Sequence, residues 1–127
     1  MRLLLLAAFG AILVGAAPAQ AQTSAGPGPR TAESLRSLHL AGRNLLGILQ
    51  YCQAQGMVGA DAVERQRELL RRAPPADVPG LDAMEEAGRQ GIVAFLDSRV
   101  SIADAARAEG ILVGTRCQGV ALSLGTP

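Results

Sequence analysis

The chain reads as all-α, a compact bundle of about four helices with one disulfide. Three observations predict this. After residue 31, apolar residues recur at alternating spacings of three and four along most of the chain. Helix start and stop signals bracket those stripes. The two cysteines, Cys52 and Cys117, stand in a chain whose first residues are laid out as an export leader.

Residues 1–21 begin Met1-Arg2, run apolar from Leu3 to Ala17 and end Ala19-Gln20-Ala21, the order of a secretory signal peptide. The apolar run is about 15 residues, short of the roughly 20 that cross a bilayer, and no later segment is long and uncharged enough to span. Cleavage near Ala21 and delivery to the periplasm or the medium are therefore expected, with no stable membrane span in the mature chain. Residues 22–30 carry Ser, Gly and Pro without periodicity and read as a flexible leader. Residues 31–127 form the single helical domain.

The first helix is expected over Thr31–Gln55. Leu38, Ala41, Leu45, Ile48 and Cys52 form its apolar stripe, widened by Leu35, Leu46 and Leu49. Gly56 closes it, and Met57 and Val58 pack back on the last turn. Asp61-Ala-Val-Glu64 resembles a capping box with Asp61 at the cap, opening a second helix that runs to about Arg72. Only Val63, Leu69 and Leu70 are strongly apolar there, which places this helix on the outside. Pro74, Pro75 and Pro79 make residues 73–80 a stiff connection.

Asp82-Ala-Met-Glu85 repeats the start signal, and Met84, Ala87, Gly91, Ile92, Phe95 and Leu96 predict a third helix to about Ser98. Gly88 and Gly91, each costing about 1 kcal/mol in a helix interior, point to close approach of another backbone. Ser101-Ile-Ala-Asp104 opens a fourth helical segment through Ile102, Ala106, Val113, Cys117, Val120 and Leu124, with a kink or break near Gly110. No strand pattern competes.

An even cysteine count in an exported chain predicts a Cys52–Cys117 disulfide. Linking residues 65 positions apart stabilises the fold by roughly 4 kcal/mol on the chain-entropy model. The other chemistries open to these residues are poorly supplied. There is no C-x-x-C spacing for redox exchange, His39 is the sole imidazole for a zinc site, and nothing around either cysteine suggests a Cys–His nucleophile.

Once Arg2 leaves with the leader, 11 arginines face 11 carboxylates, and there is no lysine. Such balance argues against electrostatic capture of nucleic acid. Tyr51 and Phe95 are the aromatic residues after the leader, too few for a stacking platform. His39 reads as a boundary histidine, with pH sensing as its rival role. Tyr51 reads as a cover for the core edge and the disulfide. The carboxylate pairs Glu64 with Glu68 and Glu85 with Glu86 fit capped helix starts and solvated faces better than acid/base chemistry. Gly110 and Gly114 suggest close packing between soluble helices. No phosphate loop, nucleophile elbow, metal cluster or cofactor site is found.

The leader, the stretch Asn44-Leu-Leu-Gly-Ile-Leu-Gln-Tyr-Cys52, the helix start Asp61-Ala-Val-Glu, Gly88-Arg-Gln-Gly-Ile-Val-Ala-Phe-Leu-Asp97 and a lone late Cys117 together resemble the YjjA-like family of small exported bacterial proteins. The resemblance covers about Ser37 to Leu124. It implies a mostly helical domain of the periplasm, with no activity attached. The function expected is therefore non-enzymatic: contact with an envelope protein partner, or a structural accessory role. The alternative is an acid-stress periplasmic chaperone of the HdeA type, which loosens as carboxylates and His39 protonate.

Overall fold

The computed structural model describes residues 31–125, so the signal-peptide and flexible-leader assignments lie outside the described residues. Five helices and one β-hairpin follow in order: α1 (Ala32–Ala54), α2 (Ala60–Arg72), α3 (Leu81–Arg89), β1 (Ile92–Phe95), β2 (Ser98–Ser101), α4 (Ile102–Glu109) and α5 (Val113–Leu122). The mostly helical class and the disulfide are as the sequence predicts. The all-α class and the count of four helices are corrected by the hairpin and by the separation of α4 from α5.

Helix α1 starts where Thr31 Oγ1 accepts from the Ser34 amide at 3.2 Å. It stops at Gly56, whose φ of +71° reverses the chain. The Gly56 amide then donates to Gln53 O and the Met57 amide to Cys52 O, at 2.9 and 2.8 Å, a Schellman closure. Helix α2 departs from expectation at its start. Its cap is Gly59, which makes no side-chain capping bond, and Asp61 lies inside the first turn, paired with Arg65 at 2.7 Å. A carboxylate there still faces the positive end of the helix dipole.

The third helix ends at Arg89, well short of the expected Ser98. Gly91 adopts φ +76°, which ends the helix, and Ile92-Val93-Ala94-Phe95 extends as β1. Four residues rich in β-branched and aromatic side chains suit a strand. They pair antiparallel with β2 in the register Ile92↔Ser101 to Phe95↔Ser98, leaving Leu96-Asp97 as a two-residue turn. The fourth segment breaks where a kink was anticipated. Gly110, at φ +68°, ends α4, and Ser101 caps its start by accepting from the Asp104 amide at 3.0 Å.

The core has two adjoining parts. Leu46 and Leu49 of α1 meet Ala62 and Val63 of α2, while Ile48 and Cys52 meet Ile102 of α4 and Cys117 of α5. Cys52 and Cys117 are fully buried and disulfide-bonded, with their Cα atoms 5.8 Å apart. Tyr51 packs on this second part, as expected of it.

Glycine closes the contact between α1 and α3. A Cβ on Gly47 would lie 2.0 Å from Glu85 O, and one on Gly88 would lie 2.3 Å from Asn44 O. Gly88 therefore has the role anticipated for it. Gly91 faces a side chain instead, the Tyr51 ring, 3.1 Å from its notional Cβ. Gly110 and Gly114 have open space around them, which corrects the expected close packing at that pair.

Candidate functional site

The half-buried to buried polar groups divide into those that build the fold and those left facing solvent. Asn44 belongs to the first kind. It is 3 % exposed, and its Nδ2 donates to Met84 O at 3.1 Å and to Ile92 O at 2.9 Å, while its Oδ1 accepts from the Ala94 amide at 2.9 Å. The hairpin register explains the arrangement. The Ile102 amide donates to Gly91 O, so alternate residues Val93 and Phe95 turn their backbone groups toward β2, and Ile92 and Ala94 turn theirs away. One carboxamide thus completes the outer edge of β1 as a neighbouring strand would. The signal was present in the sequence as a lone amide on the apolar side of α1, one turn before Gly47.

The sequence-singled residues are dispersed. Cys52 and Cys117 come together in the core, out of reach of solvent. Glu64 pairs with Arg67, Glu68 with Arg71 and Arg72, and Glu86 with Arg89, all on exposed helix faces. Glu85 is more enclosed, receiving Arg43 at 2.9 Å and Gln50 at 3.2 Å. No two of these carboxylates face a shared pocket. Among the described residues, no group of three or more His, Cys, Asp or Glu is placed to hold a metal ion. No helix of the described residues is long and apolar enough to cross a membrane.

Two carboxylates are held below the usual carboxylate range. For Glu68 the main cause is the hydrogen bond from Arg71, followed by that from Arg72. For Asp104 it is the Ser101 hydroxyl, followed by the charge of Arg107. Both are exposed, and each is paired with arginine on its own helix.

His39 is the first residue of a different arrangement. It lies on α1, half-buried, with Nε2 2.7 Å from Pro74 O; as the carbonyl can only accept, this nitrogen carries the proton and donates. The bond fastens the proline-rich connection across α1 and leaves a groove beneath it of about 590 Å³. His39 and Arg43 line one wall from α1, Arg67 and Arg71 the other from α2, and Leu46 and Leu70 lie between them. The sequence does not single out these arginines, because their convergence depends on how α1 and α2 are docked.

At the same end of the molecule the hairpin tip projects. Phe95 is 63 % exposed and Leu96 is 78 % exposed, and Leu96 has φ +51°. The left-handed region is unfavourable for a side chain of this kind by about 1–2 kcal/mol. Leu96 and Asp97 also edge a second hollow, formed with the first turns of α1 and residues 76–79. Ala76 lines both that hollow and the arginine groove, so the two surfaces meet. In comparisons with protein-family models, curated proteins and solved structures, nothing matches the chain.

Proposed function

We propose that this is an exported helical protein that acts by contact with a protein partner of the cell envelope, without catalysis. Its YjjA-like resemblance and leader support the location, and the closed Cys52–Cys117 bridge suits an oxidising compartment. The observation that carries the contact reading is the hairpin tip. Leu96 occupies an unfavourable backbone region and stays 78 % exposed beside exposed Phe95, so the free chain gains neither relaxed backbone nor burial there. Strain held at a surface turn that presents two large apolar side chains is what a binding tip requires. The buried amides Asn44 and Gln66, by contrast, are hydrogen-bonded within the fold.

The test is photo-cross-linking in the intact envelope from a benzophenone amino acid at position 95. A discrete adduct that disappears on Leu96→Ser is the expected result. Absence of any adduct, with the protein exported and folded, removes the contact reading.

A further inference from the structure

The groove between α1 and α2 has a chemistry of its own. Its wall-lining charged residues are Arg43, Arg67 and Arg71, with one carboxylate, Glu85, already paired with Arg43. The carboxylates that accompany Arg67 and Arg71, Glu64 and Glu68, stand on α2 one turn before them and do not line the groove. Exposed pairs of this kind are weak, and a guanidinium carries five N–H donors, more than one carboxylate uses. Arg67 and Arg71, one helical turn apart, line the groove and keep N–H donors beyond those bonded to Glu64 and Glu68, beside Leu70 and the buried Leu46.

We propose that this groove is a docking site for an acidic, leucine-bearing segment of the partner protein. Charge complementarity selects the carboxylates, and the apolar lining around Leu70 and Pro75 selects an apolar side chain between them. The groove is open to solvent and shares Ala76 with the hollow beside the hairpin tip, which suits a peptide segment better than an enclosed small molecule. The inference rests on the contact reading above and adds the chemistry of the partner.

The probe is a twelve-residue peptide of repeating Glu-Leu-Leu-Glu, titrated into the oxidised protein and followed by backbone amide shifts. The expected result is a set of shifts confined to residues around His39–Leu46 and Arg67–Ala76. Affinity should fall by about tenfold or more in the Arg67→Gln/Arg71→Gln variant and in 1 M salt. The same peptide with Lys for Glu should bind correspondingly more weakly. Unchanged affinity in the double variant overturns the proposal, as does equal binding of the Lys peptide. So does an absence of shifts at about 1 mM peptide. If the double variant has lost its native spectrum, Arg67→Lys/Arg71→Lys replaces it: charge is kept, bidentate pairing is lost, and an intermediate affinity is expected, with unchanged affinity again overturning the proposal. The position-95 adduct separates the two failures. Its persistence alongside a failed peptide titration overturns only the groove, whereas its absence overturns the contact reading itself.

Discussion

Replacing Asn44 with Ala removes the one side chain that ties α1, α3 and the hairpin together. Three hydrogen bonds disappear, to Met84 O, Ile92 O and from the Ala94 amide, at 3.1, 2.9 and 2.9 Å. The Ala94 amide is the costliest loss, because Ala94 is 5 % exposed and its N–H points away from β2 with no other partner. A buried orphan donor costs about 1–3 kcal/mol, and each lost carbonyl partner adds about 0.5–1 kcal/mol. The sum is about 3 kcal/mol, a large part of the roughly 5–10 kcal/mol expected for a domain of this size. Thermal and urea unfolding followed by circular dichroism should show a midpoint lowered by roughly 10–20 °C. Amide exchange should accelerate first at Ala94. Asn44→Asp keeps the acceptor for Ala94 but turns an oxygen toward two carbonyls, so it should be at least as destabilising at neutral pH. A stability of Asn44→Ala within about 0.5 kcal/mol of the parent, the range of an ordinary surface change, would refute the reasoning.

Gly47→Ala and Gly88→Ala should each cost about 2 kcal/mol or more by urea unfolding, since a methyl group at either position meets backbone at 2.0 or 2.3 Å. Gly114→Ala and Gly119→Ala meet nothing within 4 Å and should stabilise by about 0.5–1 kcal/mol in the same assay. Reduction of the bridge, or Cys52→Ser with Cys117→Ser, should lower stability by about 2–5 kcal/mol, read from the urea midpoint with and without reductant. Leu96→Asn, which suits a positive φ, should raise the melting temperature by a few degrees, about 0.5–1 kcal/mol, while removing the position-95 adduct. Glu68 and Asp104 have folded pKa values below their unfolded ones, so their contribution is present above the usual carboxylate range and is lost as pH falls through the folded values. An acid titration by circular dichroism should therefore be flat down to about pH 4 and decline below it. The decline should be shallow, because both carboxylates are exposed. Suppression of client aggregation at about pH 2–3 would instead support the acid-chaperone alternative.

What was legible in the sequence is what local chemistry determines. The stripe and closing glycine placed α1, the prolines placed the connection at 73–80, and the cysteine pair fixed the link from α1 to α5. The hairpin was hidden because Ile92, Phe95 and Leu96 fit the helical spacing that began at Met84, and its turn lacks the usual Asn-Gly pair. Gly91 carried the deciding information. Read as a close-packing residue, it continues a helix; at φ +76° it ends one. Asn44 escaped notice for a related reason. Its partners lie 40 to 50 positions away, and only the completed hairpin gives them an edge in need of an amide.

Unequal helix lengths account for both the groove and the tip. At 1.5 Å per residue, the 23 residues of α1 extend about 34 Å, against about 20 Å for the 13 of α2 and about 13 Å for the 9 of α3. The buried residues of α1 begin only at Asn44, so its first twelve residues reach beyond the core. The chain has to cross that overhang between α2 and α3, and it does so with Pro74, Pro75 and Pro79, which have no amide to donate. The Pro74 carbonyl faces α1, and His39 donates to it, which holds the connection across the overhang. It bridges the space between α1 and α2 without filling it. The arginine groove is what this bridge leaves open, and the hairpin, anchored at Asn44 where the core begins, brings Phe95 and Leu96 toward the same overhang.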